Sequence, residues 1–257
     1  MTPPANGIHV DETGPVDAPV VVLIHGSLDR SAGMARVARQ LHHRFRVVRY
    51  DRRGYARSFP HPGPFSVADQ VSDLEAILDG RRAVLVGHSY GGNVALAAGS
   101  MLPGQVIAVS VYETPLSWMP WWPGTTAGGA SVAASPGDAA ETFMKRLIGS
   151  SAWDALPERT REERRREGTA LQGELSALRE GAPWDVDRIT VPVICGYGSA
   201  GSSHHREGMT WLAGELPDGR AVCVDGAGHG APNSHAEEFV RLMVTPQLDT
   251  TDGISTS

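Results

Sequence analysis

Valine and isoleucine follow one another along this chain in short runs with little polar interruption, and those runs dictate what it can fold into. Val20–Ile24, Arg46–Tyr50, residues 83–86, Val106–Tyr112, residues 191–195 and residues 221–224 each read as a strand. A strand with one wet face alternates apolar and polar residues. A run that is apolar throughout suits a strand covered on both faces, as in a parallel sheet with helices above and below. Helical patterns separate the runs. Ser66 is placed to cap a helix with Asp69 three residues on, Val67, Val71, Leu74 and Leu78 recur at helical spacing, and Gly80 ends the pattern. Strand and helix therefore alternate, and the expected fold class is α/β, a doubly wound, mostly parallel sheet. Residues 8–12 are expected to add an antiparallel edge strand.

The alternation stops after Glu113. From there to residue 188 no strand pattern occurs. The segment opens with Leu116-Ser117-Trp118-Met119-Pro120-Trp121-Trp122-Pro123, passes through a Gly/Ala/Ser-rich stretch, and then carries helical patterns over 138–148 and 158–179. We expect a sheet core built from residues 1–113 and 189–248, a helical cap inserted as residues 114–188, and a small, polar, frayed tail at 249–257.

Bulk properties narrow the function. A length of 257 residues suits one α/β domain with an insertion. The net charge of −6, from 23 basic and 29 acidic residues, provides no field to gather nucleic acid or an anionic membrane. No apolar run approaches the roughly 18–20 residues that span a bilayer. Residues 1–7 lack a signal-peptide pattern, so a cytoplasmic location is expected. Both cysteines, Cys195 and Cys223, lie in strand-like runs and are expected to be buried thiols. No His-Glu-x-x-His, paired Cys-x-x-Cys or phosphate loop appears, so neither metal nor cofactor is expected. Gly196-Tyr197-Gly198-Ser199-Ala200-Gly201 matches a dinucleotide fingerprint in form only: it lies near the chain's end, four residues separate it from the next charged one, and the other motifs assign its strand elsewhere. The basic run over Glu158–Arg166 is interleaved with glutamates and reads as a solvated, ion-paired helix face.

The chemistry concentrates in Gly87-His88-Ser89-Tyr90-Gly91, which follows strand 83–86 and precedes a small-residue helix over 92–99. A serine on so tight a strand-to-helix turn has its hydroxyl lifted off the sheet. The flanking glycines let neighbouring backbone pass close, and the first helical N–H groups point at any anion formed there.

Three more segments complete a resemblance, over nearly the whole chain, to the α/β-hydrolase superfamily, in its serine esterase and lipase-like members with a helical cap. Leu23-Ile24-His25-Gly26-Ser27 resembles the turn that supplies one oxyanion N–H. Tyr50-Asp51-Arg52-Arg53-Gly54-Tyr55-Ala56-Arg57-Ser58 resembles the family's Asp-Arg-x-Gly-x-Gly-x-Ser loop. Gly226-Ala227-Gly228-His229-Gly230 resembles the loop of the catalytic histidine. The resemblance implies Ser89 as nucleophile, His229 as general base, and the backbone N–H groups of Ser27 and Tyr90 as the oxyanion hole. His25 is expected to fix its turn, His88 to pack, and His204-His205 to face solvent.

One part departs from the family pattern. The usual acid position, after the strand at 191–195, holds Ser199. Some members take the acid from the end of the preceding strand, where this chain has Glu113. Strand ends of one polarity face the ligand crevice in such sheets, so Glu113 is the expected acid, with Asp225 as its rival. Asp51 is expected to hold its own loop. Leu28, Trp118, Met119, Trp121 and Trp122 are expected to wall a hydrophobic pocket, with ordinary packing of cap on core as the alternative. The expected activity is hydrolysis of a carboxylic ester, or of a thioester or lactone, of a hydrophobic small molecule through an acyl-enzyme on Ser89. A cofactor-free lyase or other non-hydrolytic enzyme on the same fold is the alternative, and a ligand-binding pseudoenzyme a more distant one.

Overall fold

The computed structural model describes residues 7–130 and 135–252. Seven strands form one sheet: β1 (Val10–Thr13), β2 (Val20–Ile24), β3 (Arg46–Tyr50), β4 (Ala83–His88), β5 (Val106–Tyr112), β6 (Val193–Gly198) and β7 (Gly219–Val224). Their order is β1-β3-β2-β4-β5-β6-β7. Only β1 runs antiparallel, paired with β3; every other pairing is parallel. Helices α1 (Ala35–Leu41), α2 (Val67–Leu78) and α3 (Tyr90–Met101) make the crossovers as far as β5.

The aliphatic runs are explained by burial on both faces. Val20, Val22 and Ile24 of β2 pack in one cluster with Val71, Leu74 and Leu78 of α2 and Val94 and Leu96 of α3. Their neighbours Val21 and Leu23 pack in the opposite cluster with Val37 and Leu41 of α1 and with Phe239 and Met243 near the C-terminus. Ser66 caps α2 as its position implied, accepting from Asp69 N–H. Its helix ends at Leu78, with Asp79 in left-handed geometry before Gly80.

Gly91 shows how tightly α3 seats on the sheet: a Cβ there would lie 2.4 Å from the carbonyl oxygen of Ile24. Gly91→Ala is expected to destabilise the protein by about 1–3 kcal/mol through overpacking, read as a lower Tm.

Between β5 and β6 lie α4 (Ala127–Ala130), α5 (Pro136–Ile148), α6 (Ser150–Asp154), α7 (Glu158–Arg166) and α8 (Gly168–Glu180), with no strand among the described residues of this segment. Phe143, Met144, Trp153, Leu171 and Leu175 from these helices bury themselves against Leu28 and Tyr55 of the core. The single helical pattern over 158–179 is two helices. They part at Glu167, whose carboxylate accepts the Ala56 N–H at 2.9 Å, and at Gly168, where a Cβ would lie 1.8 Å from the Pro136 carbonyl oxygen. Then α9 (Ser203–Glu215) joins β6 to β7, and α10 (Ala231–Ser234), α11 (Ala236–Phe239) and α12 (Thr245–Asp252) close the chain. The part of the expected frayed tail at 249–252 is thus helical, and 253–257 lie outside the described residues.

Two further expectations need correction. The sixth strand starts at Val193 rather than 191, because Pro192 has no N–H to give a ladder. Cys195 is buried but Cys223 is exposed, because β7 is the sheet's outer strand and its pattern is open to solvent. Among the described residues no helix is long and apolar enough to cross a membrane.

Candidate active site

Ser89 occupies the single residue between β4 and α3, with φ 53° and ψ −126°. This is sparsely populated geometry for a residue with a side chain and costs of order 1–3 kcal/mol. The surroundings over-determine it. Its N–H donates to the Tyr112 carbonyl at 2.8 Å, and its own carbonyl accepts from Gly92 N–H at 2.9 Å. The adjoining turn presses close, since a Cβ on Gly26 would meet the Cβ of Ser89 at 3.0 Å. Ser89 remains partly exposed and opens on a cavity of about 620 Å³. Leu28 and Glu113, on the two neighbouring strand-end loops, also have positive φ, 52° and 48°. Strain is therefore gathered around one end of the sheet.

His229 lines the same cavity from the loop after β7. Its Nδ1 lies 2.7 Å from Oε2 of Glu113. A carboxylate only accepts, so Nδ1 carries the proton and Nε2 is left as a base. Oε1 of Glu113 accepts the Gly198 N–H at 3.0 Å, and the carboxylate is fully buried. Burial alone would raise the Glu113 carboxyl, but the imidazoles of His205 and His229 beside it outweigh that and hold it far below the usual carboxylate range. His88 Nε2 lies 2.8 Å from the His229 carbonyl oxygen, which it holds as donor. Burial, then the neighbouring His229, push its pKa down to about 3. Tyr112 donates its hydroxyl to the Gly228 carbonyl at 3.0 Å. The histidine loop is thus tied down at two consecutive carbonyls.

Ser199, at the family's usual acid position, donates to Asp225 Oδ1 at 2.9 Å and accepts from Gly226 N–H at 2.7 Å. That contact engages Asp225 away from His229, while Glu113 reaches His229 directly. Asp51 holds more than its own loop, accepting from Ser31 N–H at 2.7 Å and from Arg57 Nε at 3.0 Å. His25 fixes its turn: Nδ1 lies 2.7 Å from the Gly26 carbonyl, and Nε2 accepts the Arg52 N–H at 2.9 Å.

Ser27 and Tyr90, the expected oxyanion donors, both line the cavity. Of the five expected pocket residues only Trp122 does. Trp118 packs edge-on to Trp184 at 5.3 Å, and Trp121 lies half-exposed against Trp211. Leu28 is buried beneath the cap helices, and Met119 is not on the wall. The segment folds as two successive turns, with Met119 N–H donating to the Leu116 carbonyl and Trp122 N–H to the Met119 carbonyl, and of its aromatics only Trp122 lines the cavity. Phe143, Arg146, Leu147 and Leu175 from the helices between β5 and β6 also line it, as do His204 and His205.

The two histidines expected at the surface are therefore in the site. They occupy the first turn of α9, which starts under the cap. His205 stacks on His229 with ring centroids 5.1 Å apart and planes 16° from parallel. Its Nδ1 lies 3.0 Å from Glu113 Oε2, but off the line of a hydrogen bond. Burial lowers both imidazoles, His204 to about 4. Glu113, His205 and His229 bring three ligating atoms within 4.8 Å of one another. Nearly parallel rings do not aim their in-plane lone pairs at one point, and Glu113 already accepts the hydrogen bond of His229 Nδ1–H, so the arrangement favours hydrogen bonding over metal coordination.

The family profile described as the alpha/beta hydrolase family matches residues 21–242. The pimeloyl-(acyl-carrier protein) methyl ester esterase of Chromobacterium violaceum is 32% identical over 243 residues, covering 88% of this chain and 92% of that protein. Lipase LipV of Mycobacterium tuberculosis is 34% identical over 109 residues, 41% of each protein. The chain spans only 26% to 41% of the length of the first curated relatives it matches. Among solved structures, the enol-lactonase from Burkholderia xenovorans LB400 superposes with a TM-score of 0.71 at 20% identity, covering 96% of each chain. At that identity the likeness concerns the fold alone.

Proposed function

The chain belongs to the alpha/beta hydrolase family, and from that premise we propose that it is a serine hydrolase cleaving a carboxylic ester of a hydrophobic small molecule. One observation carries the reading. A serine held in strained geometry at a strand-to-helix turn opens on the cavity that His229 lines, and His229 is oriented by Glu113 at 2.7 Å. Ser89 Oγ attacks the ester carbonyl while His229 Nε2 takes its proton. The oxyanion that forms is met by the N–H groups of Ser27 and Tyr90. The tetrahedral adduct collapses, the alcohol leaves with the proton returned by His229, and Ser89 retains the acyl group. Water, deprotonated by His229, then attacks the acyl-enzyme and releases the acid.

The substrate class rests on the wall. Trp122, Phe143, Leu147 and Leu175 offer apolar surface, while Thr125, Thr126 and Ser202 are polar. About 620 Å³ suits a drug-sized molecule rather than a polymer. The named activities of the Chromobacterium and Mycobacterium relatives, a methyl ester esterase and a lipase, point to esters as the first substrates to try.

A fluorophosphonate probe is expected to label the wild type and leave Ser89→Ala unlabelled. Turnover of p-nitrophenyl esters of graded chain length is then expected, with an optimum set by the cavity. Absence of labelling removes the nucleophile. Labelling without turnover of any ester, thioester or lactone moves the protein to non-hydrolytic chemistry on the same fold.

A further inference from the structure

The Ser27 turn has a partner that the sequence leaves unpaired. Glu174 lies on the cap helix α8, yet its carboxylate is fully buried and accepts from Ser27, Arg52, Tyr55 and Gln70, all on the core side. Oε2 accepts the Ser27 hydroxyl and the Tyr55 hydroxyl, each at 2.8 Å. Oε1 accepts from Gln70 Nε2 at 3.1 Å and pairs with the Arg52 guanidinium. Arg52 in turn donates from Nε to the His25 carbonyl at 2.8 Å and lies between the rings of Tyr55 and Tyr90, 5.0 and 4.9 Å from their centroids.

We propose that Glu174 is a positioning residue: reaching from the cap, it sets the orientation of the turn whose Ser27 N–H receives the oxyanion. The inference rests on the serine-hydrolase reading above. Two arms connect the carboxylate to the same three residues. One is direct, through the Ser27 hydroxyl; the other runs through Arg52 to the His25 carbonyl. Between those anchors lies Gly26, in contact with Ser89, and immediately after them Leu28 has φ 52°. A strained turn keeps its geometry only while its surroundings over-determine it, and charged hydrogen bonds in a dry interior supply that constraint. The Ser27 side chain is spent on Glu174, so its contribution to the reaction is its main-chain N–H alone. The seating of α8 and the aim of that N–H are consequently one variable.

Glu174→Gln keeps the shape but removes two lone-pair acceptors, and Ser27→Ala cuts the direct arm while keeping the N–H. Each is expected to lower kcat about tenfold or more with KM within about threefold, since small misplacement of an oriented group costs up to about a hundredfold. A boronic acid, which forms a tetrahedral adduct on serine, is expected to bind more weakly in proportion to the loss in kcat, while the product acid binds as before. The double variant is expected to match the worse single one, because both cut the same tether. Losses that multiply in the double variant, or equal weakening of boronate and product acid, would make Glu174 a cap-packing residue and overturn the proposal. A folded Glu174→Gln with kcat within twofold of wild type does the same. Should Glu174→Gln fail to fold with Arg52 unpaired, Ser27→Ala alone decides: an unchanged kcat overturns it. Fluorophosphonate labelling of wild-type Ser89 is measured alongside. Without labelling the serine-hydrolase reading falls and this inference with it; with labelling and unaffected variants only this inference falls.

Discussion

Glu113→Gln is expected to lower kcat by about a thousand- to ten-thousandfold while leaving KM nearly unchanged. The amide fits the same volume, but it offers the His229 Nδ1–H a neutral partner in place of a buried carboxylate at 2.7 Å. The wrong tautomer becomes populated, and the imidazolium formed during attack loses its counter-charge. Single-turnover kinetics with a p-nitrophenyl ester measure the loss; one below tenfold would remove Glu113 from the catalytic chain. The same residue makes a prediction in pH. Its folded pKa is depressed, so the stability it contributes is complete above the unfolded value of about 4.3 and is lost as pH falls below it. The difference in urea midpoint between wild type and Glu113→Gln is expected to stay level from pH 8 to about pH 5 and to narrow below. No limb of the rate profile near neutrality belongs to Glu113, which stays ionised there.

Ser89→Ala is expected to reduce turnover roughly a millionfold, the scale on which serine hydrolases lose rate without their nucleophile. Ser89→Gly is expected to do the same and also to raise Tm, because glycine occupies φ 53° without the steric cost that serine bears. An unaltered or lower Tm for the glycine variant would mean that the turn stores no strain. The pair separates two roles of one position: the hydroxyl serves chemistry, and the backbone carries the cost of presenting it.

The sheet was legible because burial on both faces of its inner strands writes aliphatic runs with little polar interruption. The turn at Ser89 was legible because Gly87 and Gly91 stand at fixed positions on either side of the serine, between a strand run and a small-residue helix. Glu113 could be read because a strand end fixes which side of the sheet it joins. The cavity wall could not. Trp118, Trp121 and Trp122 share one local composition, and what separates them is their distant partners, Trp184 for Trp118 and Trp211 for Trp121. His205 and Glu174 were hidden for the same reason. Each meets its partner across a long stretch of chain, His205 with Glu113 and Glu174 with Ser27. No periodicity registers such contacts.

Glu113 directly follows the last residue of β5, and Thr114 behind it fills the space where a Cβ on Gly92 would lie 1.8 Å from its hydroxyl. Lid exchange between relatives is a natural way to redirect an enzyme of this build, and here the splice point matters by a single residue. On the proposed reading, a donor segment joined after Thr114 keeps Glu113 beside His229, while one joined at 113 imports its own residue there and leaves the imidazole without its partner at 2.7 Å. Selectivity and reactivity thus meet at one peptide bond, and a library that shuffles caps must be cut on its far side.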